Sequence, residues 1–169
     1  VPTTFRRVFV SSTAQNGNFG GVQGADDLCE SLAASAGLPG KFVAWMSSGE
    51  LNTQALDRLD QADVPYRLVD GTKIADNWDD LTDNSLDNPI NRDENGVVRS
   101  GSNNVWTGAD GNGTGIAFAS DSNVNCNNWT GGSSSLSGRV GSSAAIDEDW
   151  TNTGDNIDCN LNRRLYCVQ

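Results

Sequence analysis

The chain has 169 residues and a formal charge of −11, with no histidine, four cysteines and only two lysines, Lys41 and Lys73. That charge argues against a nucleic-acid backbone or an anionic membrane surface as the main partner, since both would be repelled. No apolar run is long enough to cross a bilayer, so membrane insertion is not expected. Lack of histidine removes the commonest general base, every Ser-His or Cys-His nucleophile pair and the usual zinc-hydrolase ligands, so no enzyme is expected.

Phe5-Arg6-Arg7-Val8-Phe9-Val10 is aromatic and β-branched and predicts a first strand, with Arg163-Arg164-Leu165-Tyr166-Cys167-Val168 as its partner at the other end of the chain. A Gly/Asn turn over 16–21 leads into a predicted helix from Ala25 to Ala36. There Ala25, Leu28, Cys29 and Leu32 form the apolar stripe, Asp26, Asp27 and Glu30 lie mostly on the wet side, and Gly37 with Pro39 marks the stop. Phe42–Met46 predicts the next strand and Thr53–Leu59 a short second helix. Tyr66–Val69 and Thr72–Ala75 flank Asp70-Gly71, a strong hairpin signal, and Asp76–Leu81 predicts a further helical turn. From Leu86 to Asn125 the pattern dissolves into Asn, Gly, Asp and Ser, with 97–98, 105–107 and 116–118 as the only ordered pieces; so long a loop in a compact domain is usually functional. No linker or repeat divides the chain, and its length suits a single domain over 1–169.

Cys29, Cys126, Cys159 and Cys167 allow three pairings. Structural zinc takes ligands in close pairs, which this spacing lacks, so two disulfides in an oxidising, extracellular or cell-surface setting are the better reading.

Several stretches, in order along nearly the whole chain, resemble bacterial secreted domains described as endostatin-like, within the C-type-lectin-like superfamily. They are FVSSTAQNGNFGGVQGADDLCESLA at 9–33, LPGKFVAWMS at 38–47, VPYRLVDGTKIADNWDDL at 64–81, PINRDENG at 89–96, VWTG at 105–108, CNNWT at 126–130 and NRRLYCVQ at 162–169. The resemblance implies an α+β fold of mostly antiparallel sheet with one main helix, a short second helix and long loops. It also implies nested bridges Cys29–Cys167 and Cys126–Cys159. The wider group includes bacterial surface adhesins, which implies binding by analogy. The zinc site of endostatin depends on histidines and does not carry over. The triplets of calcium-dependent lectins are also missing, since Asn88-Pro89-Ile90 and Asn127-Asn128-Trp129 depart from them.

The expected function is a non-catalytic extracellular binding or adhesion module that takes a protein or glycan through the loops between Leu86 and Asn125. Alternatives are a self-assembling structural surface subunit (filament, pilus or surface layer) and a calcium-dependent carbohydrate-binding domain. Candidate ligand-binding residues are Trp78, Trp106, Asn125 and Trp150, with Trp78 and Trp150 expected to be partly exposed and Trp45 to be core. No cofactor is required; calcium is the one that a loop spacing suits, through Asp110, Asn112, Thr114 and Asp121. Arg6, Arg7, Arg163 and Arg164 would form a basic patch if the terminal strands pair, and the competing reading is that they neutralise nearby aspartates. The acids Asp147, Glu148, Asp149, Asp155 and Asp158 read as a solvated loop.

Overall fold

The computed structural model of the chain describes residues 4–116 and 124–169. Among these, the strands in chain order are β1 Arg6–Val10, β2 Val43–Ala44, β3 Tyr66–Arg67, β4 Lys73–Ala75, β5 Asn104–Trp106, β6 Ser137–Ser142, β7 Asn156–Asp158 and β8 Tyr166–Val168. One sheet has the order β2-β8-β1-β3-β4 and the other β5-β6-β7. Every pairing is antiparallel except β1 with β3, so the architecture is α+β with mostly antiparallel sheets. The helices are α1 Val22–Ser35 and the single-turn α2 Ala55–Arg58 and α3 Trp78–Leu81.

Alternation along the central strands builds two cores. Val8, Val10, Val43, Trp45, Tyr66, Tyr166 and Val168 face one side of the main sheet. Phe9, Phe42, Ala44, Met46, Leu165 and Cys167 face the other, where α1 packs through Ala25, Cys29 and Ala33. Because both faces are covered, these strands read as continuous apolar runs with no polar alternation. The Asp70-Gly71 hairpin, α2 and α3 stand where the residue pattern placed them.

Helix α1 begins three residues earlier than its apolar stripe predicts. Gly20 and Gly21, with φ of 78° and 93°, turn the chain sharply enough for Val22 to start the helix. Gly24 then presses so closely on Phe19 that a Cβ there would sit 1.7 Å from the Phe19 carbonyl oxygen.

Two acids of the expected wet face have structural work. The Ala44 N–H donates to Asp26 Oδ1 at 2.9 Å and the Phe42 N–H donates to Glu30 Oε2 at 3.0 Å. Arg58 completes the seal: it pairs with Asp26 at 2.5 Å and donates to the Ala44 carbonyl at 3.0 Å. Edge strand β2 therefore offers no free ladder for another chain to extend. At the opposite edge, the Asp87 N–H donates to the Ile74 carbonyl and Asn88 Nδ2 to the Lys73 carbonyl, both at 2.9 Å.

Strands β6 and β7 lie in sequence that shows no strand pattern. The glycines of β6 explain the composition, since a Cβ at Gly138 would sit 3.0 Å from the Trp106 ring and one at Gly141 would sit 2.2 Å from the Trp150 carbonyl oxygen. The strand is glycine-rich because tryptophan and backbone lie directly against it. Residues 126–129 form a left-handed turn with φ between 50° and 62°. Asn127 and Asn128 tolerate that region better than most residues, and the turn swings Trp129 into the core.

Both disulfides are formed: Cys29–Cys167 joins α1 to β8 across 138 residues, and Cys126–Cys159 joins the left-handed turn to the end of β7 across 33. Chain-entropy arguments assign about 5 kcal/mol to the longer closure and between 3 and 4 kcal/mol to the shorter, as order-of-magnitude values. Replacing the Cys29–Cys167 pair by serines should accordingly lower denaturant stability more than replacing Cys126–Cys159. Equal losses in urea titrations of the two variants would refute that ranking.

Candidate functional site

The five tryptophans divide sharply. Trp45, Trp106, Trp129 and Trp150 are each at most 1 % exposed. Three of them donate their indole N–H inside the protein: Trp45 to Thr151 Oγ1 at 2.7 Å, Trp106 to the Gln15 carbonyl at 3.0 Å and Trp129 to the Ser47 carbonyl at 2.8 Å. Trp150 lies 4.8 Å from Trp45, ring centre to ring centre, and its N–H is enclosed without an acceptor among the described residues. The expectation that Trp150 is partly exposed is corrected: it is core, as is Trp106. Asn125, 3 % exposed, is also architectural, since its Oδ1 accepts from the Asn128 N–H at 3.0 Å at the head of the left-handed turn. Trp106, Trp150 and Asn125 thus offer no open face to a ligand.

Trp78 is different. It is half-buried, its ring centre 5.9 Å from that of Trp45, and its N–H has no acceptor among the described residues. Placement follows from local structure. The Trp78 N–H donates to the Ala62 carbonyl at 3.0 Å, and Asn77 caps α3 by accepting from the Asp80 N–H at 3.0 Å. The indole is held between the α3 start and the segment after α2. Around it lies a recess of about 280 Å³ lined by Gln61, Ala62, Asp63, Asn77, Trp78 and Asp79. Gln61 Nε2 is committed to the Leu56 carbonyl at 3.1 Å, which leaves its Oε1 available; Asn77 keeps its Nδ2. The carboxylates of Asp63 and Asp79 have no cationic partner among the described residues.

A second recess, of about 260 Å³, opens at the other end of the same segment and is lined by Asn84, Asp110, Gly111, Asn112, Glu148 and Asn152. It connects α3 to the long-loop region. Gly111 lies so close to Asn84 that a Cβ would sit 1.8 Å from the Asn84 Oδ1. Asp110 and Asn112 of the calcium spacing lie here and Thr114 follows them in the chain; Asp121 lies outside the described residues. Asn112 Oδ1 accepts from the Thr114 N–H at 3.0 Å and from its hydroxyl at 2.7 Å, while Asp110 Oδ1 accepts from Asn152 Nδ2 at 2.8 Å. Asn112 Oδ1 thus serves a tight turn and Asp110 Oδ1 a cross-link to Asn152. Between the two recesses the carboxylates of Asp76, Asp80 and Asp87 cluster within 4.8 Å. Lys73 already pairs with two of them, 2.6 Å from Asp76 and 2.8 Å from Asp87, and the hydrogen bonds it donates to these two hold its ammonium well above the ordinary lysine range.

The basic patch does not assemble. Strand β1 does pair with β8, but antiparallel, with Val8 opposite Val168 and Val10 opposite Tyr166. Arg6 and Arg7 therefore stand at one end of β1 and Arg163 and Arg164 beyond the other, roughly 20 Å apart at 3.3 Å per residue. Arg6 pairs with Asp60 at 2.5 Å, Arg7 lies over the Phe5 ring, and Arg163 donates to the neighbouring Asn162 carbonyl. Arg164 donates to the Ser11 carbonyl at 2.8 Å and to that of Ser12. Beside it, Glu94 accepts from the Ser12 N–H at 3.0 Å and from the Ser12 hydroxyl. Asp93, fully buried, accepts from the Asn95 and Val97 N–H groups at 2.9 and 3.0 Å and from Arg99 Nε at 2.7 Å. The 89–96 segment thus clamps the end of β1, with the Val10 N–H donating to the Arg92 carbonyl at 2.9 Å.

Of the candidate ligand-binding residues singled out from sequence, Trp78 alone lines an open recess, while Asp110 and Asn112 of the calcium spacing line the second one. Gln61, Asp63, Asn77 and Asp79 were missed. The one available signal was the run Asp76-Asn77-Trp78-Asp79-Asp80, a tryptophan set among groups that cannot be buried cheaply.

Residues 12–146 match the model of a family described as "Protein of unknown function (DUF1554)". No curated protein matches the chain.

Burial alone would raise the Asp93 carboxyl, but hydrogen bonds from the Val97 N–H, Arg99 and the Asn95 N–H outweigh it and hold the group below the ordinary carboxylate range. A depressed folded-state pKa adds stability above the unfolded value, near pH 4, and that stability fades as pH falls through the folded value. Asp93→Asn should cost about 2 kcal/mol at neutral pH, with the gap to the parent protein narrowing below about pH 4. Urea titrations from pH 7 to 3 test this, and a gap that stays constant or widens on acidification would refute it.

Proposed function

The chain belongs to that family of proteins of unknown function, DUF1554, and we propose that it is a non-catalytic extracellular binding or adhesion module on a C-type-lectin-like, endostatin-like frame. Its ligand, a protein or a glycan, rests on the face formed by 61–63, 77–84 and residues 110–112 of the long-loop region. One observation carries this reading. Trp78 is a half-buried aromatic platform whose N–H has no acceptor among the described residues, in a recess ringed by amide and carboxylate groups, in a protein whose other four tryptophans are buried. Such a platform combines apolar area with directional polar groups, the combination that binding sites use.

Three further features support it. Both disulfides fit an oxidising compartment. No helix among the described residues is long and apolar enough to cross a membrane. The sealed edges of β2 and β4 tell against a subunit that polymerises by strand addition. Binding requires no cofactor, because the recess presents its own donors and acceptors.

The test is a panel of immobilised glycans and extracellular proteins probed with the oxidised protein and with Trp78→Ala. Losing the platform should weaken the retained ligand by roughly tenfold or more. Ligand should also shift the tryptophan emission of the parent protein and not that of the variant. Undiminished binding by a folded Trp78→Ala protein would remove this site.

A further inference from the structure

We infer that the Trp78 recess receives a cation, the ammonium or guanidinium of a lysine or arginine on a partner protein; this rests on the binding role proposed above and narrows it to one ligand chemistry. Residues 57–87 contain nine aspartates against three basic residues, so more than half of the net charge of −11 falls in this stretch. Cations of the chain are already allotted within it. Arg6 holds Asp60, Arg92 holds Asp70, and Lys73 holds both Asp76 and Asp87. None of the ion pairs among the described residues reaches Asp63 or Asp79, the two acids that line the recess with Trp78.

An indole face attracts a cation through its ring quadrupole, and carboxylates beside it add ordinary Coulomb attraction. Here a ring and two unpaired carboxylates share one recess, and Gln61 Oε1 adds a neutral acceptor. Sulfate, phosphate or a carboxylate-bearing sugar would meet repulsion from both acids. A neutral sugar could stack on the ring but would leave the negative field unanswered. Size points the same way: at about 280 Å³ the recess lies at the lower bound of ordinary ligand pockets, fitting the tip of one side chain better than a chain of sugars.

The experiment uses the intact oxidised protein and three probes: a short lysine- and arginine-rich peptide, the same peptide with its lysines acetylated, and a neutral oligosaccharide. Binding is read by tryptophan emission and calorimetry at low and physiological salt. Three variants accompany the parent: Trp78→Ala, the pair Asp63→Asn with Asp79→Asn, and the pair Asp155→Asn with Asp158→Asn. The last pair is exposed, lies outside the recess and removes the same charge, so it controls for general attraction to an acidic protein. The basic peptide should bind and acetylation should weaken it. The recess pair should lose roughly tenfold, the control pair less than about twofold, and salt should weaken the parent more than the recess pair. Because the aspartate variants keep the indole packing on Trp45, they decide the matter even if Trp78→Ala folds poorly. Equal losses in the recess and control pairs would overturn the inference. Binding of the neutral oligosaccharide in preference to the peptide would overturn it too, while leaving the Trp78 platform in place. If no probe moves the emission and the wider panel retains nothing, the binding role itself falls.

Discussion

Antiparallel pairing between β1 and β8 is the contact on which the rest of the molecule depends. It joins residues 6–10 to residues 166–168 at the centre of the main sheet, so nearly the whole chain is one closed loop hung from this pairing. Loop closure on that scale has a large entropic cost before any contact repays it. Cys29–Cys167 reduces that cost by limiting the unfolded chain, and it does so from the same strand, joining β8 to α1. Arg92, Arg164 and Glu94 fasten the far end of β1 through Val10, Ser11 and Ser12. Strand, bridge and polar clamp therefore act at one place, and the two cores form on either side because the strands between them alternate.

The second half of the chain is ordered by other means. Its apolar content is low, and much of the packing there is tryptophan against glycine: Trp106 on Gly138, and the Trp150 backbone on Gly141. Glycine supplies no buried area of its own, but it lets a large ring or a backbone approach to contact distance. Cys126–Cys159 then holds the left-handed turn at 126–129 against the end of β7. Without that restraint, a turn of four residues at positive φ would be strained.

Some of this was legible in the residues and some was not, for definite reasons. The terminal strands, the hairpin at Asp70-Gly71 and the stop at Gly37 rest on local signals that tertiary structure did not override. Strands β6 and β7 carry no local signal, since Ser137-Gly138-Arg139-Val140-Gly141-Ser142 is a strand for the sake of what lies against it. Placing four arginines in two paired strands was sound, but strand direction decides whether they meet, and direction cannot be read from composition. Asp26 and Glu30 looked solvent-facing on a helical wheel and serve as acceptors for β2, a contact set by the neighbouring strand and not by helical period. Trp78 and Trp150 both sit among polar neighbours in sequence. One keeps an open face and the other is enclosed, because the short helical turn Glu148–Trp150 drives Trp150 inward against Trp45 and Tyr166.

What separates the proposed site from the frame is how far hydrogen-bonding and charge capacity have been used up. In the frame, acids are matched: Asp26 by Arg58 and the Ala44 N–H, Asp93 by Arg99 and two backbone N–H groups, Glu94 by Ser12. The tempting metal-like triad is occupied as well, Asp76 and Asp87 by Lys73 and Asp80 by the Asp76 N–H. A protein with nine arginines and two lysines against twenty-two acids cannot pair every carboxylate, so where the unpaired ones fall carries information. Most unpaired acids need only water. Asp63 and Asp79 instead flank an indole that is itself left with a free donor and an open face, and burying an aromatic ring is worth more than exposing it. In the isolated chain water hydrates these two exposed carboxylates, and a partner's cation would replace that water with apolar cover for the ring and positive charge beside both acids.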